Sequence, residues 1–178
     1  MIMLKSRMRN ENPDTDHLVT LCKDLKEHFG DKEITIVEIG SYMGESAAIF
    51  AKQFPNAKVI CIDPWEGGYD GSDFASVSDF NNIEGQFNLR MKMYPNIEKR
   101  KGYSLDFEIP FDFIYIDGIH TYEGVKSDIL HWKPFAKEGA VIGGHDYVRG
   151  WDGVISAVNE TLGKPDKTYL DGSWIKKI

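Results

Sequence analysis

Cysteine is scarce in this chain: 178 residues contain two, Cys22 and Cys61. One falls on an amphipathic stretch and the other in an apolar run, so free core thiols are expected rather than a disulfide or a ligand pair. Positive charge is short as well. The net charge is -7 and the isoelectric point is near 5.2, which argues against a surface that coats nucleic acid. No apolar run approaches the roughly 20 residues that a membrane span needs. The opening MIMLKSRMRN is interrupted by three cations where a signal peptide would carry its apolar core. A cytoplasmic protein with neither membrane nor nucleic-acid partner is expected. Internal repeats, low-complexity linkers and the Gly-x-Gly-x-x-Gly fingerprint are also missing.

What is present suits one compact domain, with 42% hydrophobic and 28% charged residues. The chain is organised around Ile34 to Gly44, where Ile34, Ile36, Val37 and Ile39 form a strand apolar on both faces, as in the centre of a parallel sheet. Gly40 lets the backbone turn, and Gly44 keeps bulk away from whatever lies on that turn, at the mouth of a helix over Glu45 to Gln53. A second apolar run, Val59 to Ile62, ends in Asp63, placed to accept the two hydroxyls of a ribose. The implied ligand is a nucleoside.

The remaining elements repeat this plan. Residues 1 to 13 read as a polar start. Leu18, Leu21, Cys22, Leu25 and Phe29 mark one face of a helix from Asp14 to Phe29, capped by Asp14 or Thr15 and closed by Gly30, which packs on the sheet edge or acts as a lid. His17, His28 and His131 are expected on solvated faces. The glycine-rich stretch Pro64 to Asp73 is too long for a simple connector and reads as a lid. A helix from about Asp79 to Met93, a weaker strand at Ile97 to Gly102, a clear strand at Phe111 to Ile116, a helix at Tyr122 to Lys133 and a strand at Ala140 to Gly144 follow. A helix from about Gly153, capped by Asp152, runs to Leu162, and Asp171-Gly172 signals a terminal hairpin. The predicted fold is α/β: a Rossmann-like, doubly wound, mostly parallel sheet with a C-terminal antiparallel hairpin. Residues 1–33 form a tail and a helix packing on the core, and 34–178 the main domain.

Open α/β sheets bind ligands at the carboxyl ends of their strands. There the sequence places Glu38, Gly40, Asp63, Ser104, Asp117 with His120, and His145-Asp146. Asp117, His145 and Asp146 would converge from adjacent strands as two carboxylates and an imidazole. Such a set suits Mg²⁺ or another divalent cation, the histidine favouring a softer metal. A metal on a substrate hydroxyl lowers its pKa. Alternatively, the imidazole of His120 takes the proton itself; its plainer reading is a helix cap or a partner of Asp117. Tyr122 and Tyr147 read as wall residues.

These residues resemble the class I S-adenosylmethionine-dependent methyltransferases. Val37 to Ser46 is similar to that family's first motif and Val59 to Trp65 to its second. Tyr115 to Tyr122, continuing through Trp132 to Gly144-His145-Asp146-Tyr147, resembles the small O-methyltransferases of antibiotic-sugar and catechol type. The resemblance implies that the turn of Gly40, Ser41 and Gly44 approaches the methionine moiety, with Glu38 near it. It further implies that Asp63 holds the ribose and that residues after the third strand border the adenine. Gly102-Tyr103-Ser104 lacks the acid many relatives place there, so Ser104 is the candidate for the adenine amine. Trp65 is a candidate to cover the purine face, or else a packing residue. Asp117 is assigned to the cofactor site as well as to the catalytic set with His120 and His145. His120 stands where catechol-type relatives carry a lysine base.

The expected function is transfer of a methyl group from S-adenosylmethionine to a hydroxyl of a small molecule, such as a sugar, with metal or histidine activation. The alternatives are a nicotinamide-dependent oxidoreductase, disfavoured by the missing fingerprint, and a non-catalytic nucleoside-binding domain. The short segment before the first strand leaves the acceptor cap spare, so a partner subunit in a homo-oligomer would complete it.

Overall fold

The computed structural model describes residues 16–71 and 73–178. The expected caps Asp14 and Thr15 lie outside the described residues. Helix α1 spans Leu18–Phe29; the Asp16 carboxylate accepts the Leu18 N–H at 2.9 Å, and Gly30 closes the helix at φ 62°. Strand β1 (Thr35–Ile39) leads to α2 (Glu45–Gln53), β2 (Lys58–Asp63), α3 (Phe80–Met91) and β3 (Ile97–Lys101). Then come β4 (Phe111–Ile116), α4 (Tyr122–Trp132), β5 (Ala136–Gly144), α5 (Asp152–Leu162), β6 (Lys167–Thr168) and β7 (Trp174–Lys177).

The seven strands are ordered β3-β2-β1-β4-β5-β7-β6. The first five run parallel, and β7 pairs antiparallel with both β5 and β6. The expected mostly parallel sheet with an antiparallel end is therefore present. Side chains alternate across it, as the two-residue strand period requires. Ile36, Val59, Cys61, Phe113, Tyr115 and Val141 pack beneath α1, α2 and α3. Val37, Ile39, Ile60, Ile62, Ile114 and Ile142 pack beneath α4 and α5. Two apolar layers, one per face, hold the doubly wound arrangement. Cys22 and Cys61 are free and buried. No helix among the described residues is long and apolar enough to cross a membrane.

Helix α1 belongs to the same apolar cluster as Phe50, Phe113 and Val141. Leu25 is fully buried there, so Leu25→Ala is expected to lower stability by about 2 to 5 kcal/mol in denaturant unfolding, the cost of a core cavity.

Several boundaries differ from the sequence reading, each for a local reason. Helix α3 buries Ile83, Gln86, Phe87 and Arg90, so two of the four inward positions are polar. The Arg90 guanidinium donates to the Met43 carbonyl at 2.7 Å and lies 3.7 Å from Glu45, and burial holds its pKa below the ordinary value. Strand β5 begins four residues before its apolar run, through exposed Lys137, Glu138 and Gly139, and its register with β4 shifts between Phe111 and Phe113. Asp152 is the first residue of α5 rather than its cap; Trp151 stands at the cap without a side-chain hydrogen bond. His28 is half-buried, with Nε2 2.8 Å from the Gly139 carbonyl, and His131 Nε2 is 2.8 Å from the Phe107 carbonyl. These contacts tie both rings to the fold.

Candidate active site

The turn after β1 is fixed by contact with the turn after β4. Gly40 has φ 83°, and a Cβ there would lie 2.1 Å from the Asp117 carbonyl oxygen and 2.7 Å from Gly118 Cα. Only glycine lets these two strand ends meet. Gly44, at φ 76°, makes room instead for the Phe87 ring, 2.8 Å from where a Cβ would stand, and lines neither cavity described below. Its small size serves helix packing rather than the ligand approach expected of it.

Asp63 closes the turn from the side. Its Oδ2 accepts the Tyr42 N–H at 2.8 Å and its Oδ1 the Trp65 N–H at 2.6 Å. Burial raises the Asp63 pKa, opposed by those two backbone donors. Each carboxylate oxygen has two lone pairs, so the brace still leaves acceptor capacity facing the cavity. Tyr42 and Trp65 are held at φ 47° and 49°, and Asp146 at 61°. Strained non-glycine backbone gathered at strand ends is characteristic of functional sites.

Two neighbouring cavities open at the carboxyl edge of the sheet and share Gly40, Tyr42, Tyr69, Asp117 and Gly118 as walls. The first, about 450 Å³, is predominantly apolar and is lined by Ile39, Ile62, Asp63, Pro64, Leu105 and Ile119, with Ser104, Asp106, Ser127 and Asp128 as further polar walls. The second, about 600 Å³, is the more polar of the two and is lined by Ser41, Ser46, Asp73, His120, His145 and Asp146, among others. Trp65 borders neither. Its ring packs on Phe87 with centroids 4.7 Å apart, beneath the Lys99 ammonium, and its indole N–H donates to the Tyr42 carbonyl at 2.8 Å. It occupies the packing place, not a purine-covering one.

Glu38 is fully buried, and neither of its carboxylate oxygens has a hydrogen-bond partner. It lies beside Ser41 and Ser46, whose side chains line the polar cavity. The Ser41 hydroxyl, 2% exposed, is also unpartnered. Burial pushes the Glu38 pKa up to about 7, with nearby hydroxyls opposing and Asp117 reinforcing the rise. An orphaned carboxyl and hydroxyl beneath a polar cavity fit a cationic, hydrogen-bonding ligand group.

The Asp117, His120 and Asp146 ligand atoms lie within 4.8 Å of one another, the only such compact set among the described residues. His120 Nε2 is 3.2 Å from Asp146 and 3.6 Å from Asp117, and its Nδ1 is 3.8 Å from Asp73 in the β2–α3 loop. Burial alone would lower the His120 pKa, but Asp117, Asp146 and Asp73 outweigh it and raise it. Sequence reasoning joined His145 to the two aspartates; the structure puts His120 in that place. His145 stands at the edge, its Nδ1 3.2 Å from Asp146 and 3.9 Å from Asp117.

Sequence reasoning missed four residues here. Trp151 stacks on His120 with centroids 4.7 Å apart. Asp73 reaches the histidine from the loop, held there by the Tyr69 hydroxyl at 3.0 Å. Asp16 and Asp171 line the polar cavity. Of these, only Asp73 carried a usable signal, an acidic residue inside a loop already marked as a lid.

A family model described as a methyltransferase domain matches residues 37–147, well over half of the chain. No curated protein matches it significantly in sequence. Among solved structures, the calicheamicin methyltransferase CalS11, also described as a TDP-rhamnose 3'-O-methyltransferase, shares 14% identity. That match covers 89% of this chain and 77% of CalS11 at a TM-score of 0.65. The O-methyltransferase NovP is 14% identical over 89% of this chain and 79% of its own, at 0.64. An O-methyltransferase from Bacillus cereus, solved in complex with SAH, is 17% identical over 95% and 82%, at 0.62. At these identities the likeness is one of fold. The family match reaches from β1 to the turn after β5 and so includes every strand end that builds the site: this chain belongs to the methyltransferase domain family.

Proposed function

We propose that this protein transfers a methyl group from S-adenosylmethionine to a hydroxyl of a small molecule, such as a sugar. The observation that carries the reading is the junction at Gly40, where an apolar cavity braced by Asp63 meets a polar cavity containing two carboxylates and an imidazole. The O-methyltransferase folds of the relatives support the choice of oxygen as acceptor.

S-adenosylmethionine, when bound, supplies an electrophilic methyl group on a sulfonium. Asp63 accepts the ribose hydroxyls, and the apolar cavity takes the purine. Glu38 provides negative charge behind Ser41 and Ser46 for the cationic amino-acid portion. Asp117, His120 and Asp146 face the acceptor, and Trp151 fixes the imidazole plane by stacking on it. His120 Nε2 takes the hydroxyl proton, with the carboxylates holding the resulting imidazolium. The same three residues suit a divalent cation, with His120 favouring a softer metal than Mg²⁺, and such an ion would lower the pKa of the hydroxyl. His145 closes the edge of this set. Most of the acceleration comes from holding the two reactants in line.

Calorimetric titration with S-adenosylhomocysteine, with and without Mg²⁺, tests the reading. The wild type is expected to bind at micromolar concentration, and Asp63→Ala to lose about 1.5 to 3 kcal/mol, as for hydrogen bonds to a charged group. Because Asp63 also braces two backbone N–H groups, its variant is titrated well below its own unfolding midpoint. Absence of heat and of thermal shift with the wild type would end the methyl-donor assignment. Sedimentation of the active enzyme decides whether a second copy completes the acceptor cavity.

A further inference from the structure

We infer that Asp73, in the β2–α3 loop, is the positioning residue of a divalent-cation site formed by Asp117, His120 and Asp146: it takes the Nδ1–H of His120 and leaves Nε2 to the ion. The inference rests on the cation reading of those three residues given above and adds to it a fourth, which does not touch the ion. Two carboxylate oxygens and one imidazole nitrogen within 4.8 Å of one another are donors that fit such an ion. Both His120 ring nitrogens are buried, and neither has a hydrogen-bond partner.

The two sides of the ring face different carboxylates. Nε2 lies 3.2 Å from Asp146 and 3.6 Å from Asp117, the pair that would share an ion with it. Nδ1 faces Asp73 Oδ2 at 3.8 Å. That carboxylate is itself held at both oxygens. Oδ1 accepts the Ala75 N–H at 2.8 Å and so caps the short 3-10 turn Phe74–Val77, while Oδ2 accepts the Tyr69 hydroxyl at 3.0 Å. Trp151, stacked on the imidazole with centroids 4.7 Å apart, fixes the plane of the ring. An advance of the loop by about 1 Å brings Nδ1 and Oδ2 within hydrogen-bond distance.

A neutral imidazole carries one N–H, and the group that accepts it decides which nitrogen keeps its lone pair. An ion held by Asp117 and Asp146 needs the lone pair on Nε2, so the proton must sit on Nδ1, where Asp73 is the acceptor. A carboxylate in that place fixes the ring and makes it a more basic ligand. Tyr69 is also a wall of both cavities. The same hydrogen-bonded chain therefore joins the ion to a wall of the methyl-donor cavity.

Calorimetric titration with Co²⁺, a softer ion than Mg²⁺, tests this on the wild type, Asp73→Asn, His120→Ala and the double variant, with S-adenosylhomocysteine binding measured alongside. Asp73→Asn should weaken Co²⁺ binding by roughly ten- to a hundredfold while the affinity for S-adenosylhomocysteine stays as in the wild type. In the His120→Ala background the same substitution should change Co²⁺ affinity by less than about twofold, because its effect passes through the ring. A carboxylate acting on the ion through space alone would cost the same with and without the histidine. That result would overturn the assignment, as would an unchanged Co²⁺ affinity in Asp73→Asn. If Asp73→Asn fails to fold, Tyr69→Phe, which removes the hydroxyl holding Oδ2, should weaken Co²⁺ binding in the same direction, again only where His120 is present. A wild type that binds S-adenosylhomocysteine but not Co²⁺ would remove this inference alone; one that binds neither would remove the methyl-donor reading as well.

Discussion

Glu38→Gln is expected to stabilise the unliganded protein above neutral pH and to weaken its methyl donor at the same time. In the folded state burial raises the Glu38 pKa from 4.5 to about 7. The folded protein therefore holds a proton that the unfolded chain has released between those two values. Stability falls as pH rises across that window, by roughly 3 kcal/mol in total, and stays level beyond it. Glutamine has no charge to bury, so urea unfolding of the variant should lack this slope and overtake the wild type above pH 7. Binding should move the other way. A cationic ligand favours the ionised carboxyl, so wild-type affinity for S-adenosylhomocysteine should rise with pH toward 7 and then level off, with proton release visible as buffer-dependent heat. Loss of that charge should weaken binding by roughly ten- to a hundredfold, a typical electrostatic effect at this depth. A variant with the wild-type pH slope in both measurements would show that Glu38 is not the titrating group.

Gly40→Ala should be the most damaging single methyl group in the molecule. The added carbon would overlap the backbone of Asp117 and Gly118, so no side-chain rotation can make room. Relief requires separating β1 from β4, where Asp117 N–H donates to the Ile39 carbonyl at 2.8 Å. Overpacking and left-handed strain together place the cost at about 3 to 5 kcal/mol. Gly68→Ala is the control: its φ is 83°, yet a Cβ there meets nothing within 4 Å, so only strain of about 1 kcal/mol remains. Denaturant midpoints of the two variants should differ by the contact energy alone. Equal midpoints would mean that the turns after β1 and β4 are not in contact.

The sheet was legible because its strands carry their own signatures. Ile34 to Ile39, Val59 to Asp63 and Phe111 to Ile116 are apolar, β-branched or aromatic, and end in residues that turn or carry charge. Placing Glu38, Asp63 and Asp117 at strand ends needed no more than that register. What the sequence concealed was orientation. Arg90 faces inward because the Met43 carbonyl accepts its guanidinium across the fold, and a hydropathy pattern assigns such a residue outward. Trp65 stands off both cavities because Phe87 and the Tyr42 carbonyl hold its ring. The exchange of His145 for His120 has a similar origin: three-residue spacing after Asp117 lets a turn curl His120 back over the strand ends, and no periodicity reports such a curl.

The stacking of Trp151 on His120 also has an optical side. Trp65, Trp132 and Trp174 are buried in the core, while Trp151 is half-exposed at the mouth of the polar cavity. A protonated imidazole quenches indole emission and a neutral one does so far less. The chain thus carries one fluorophore whose brightness follows the charge of the ring it touches, and ligand arrival can be watched in the unlabelled protein.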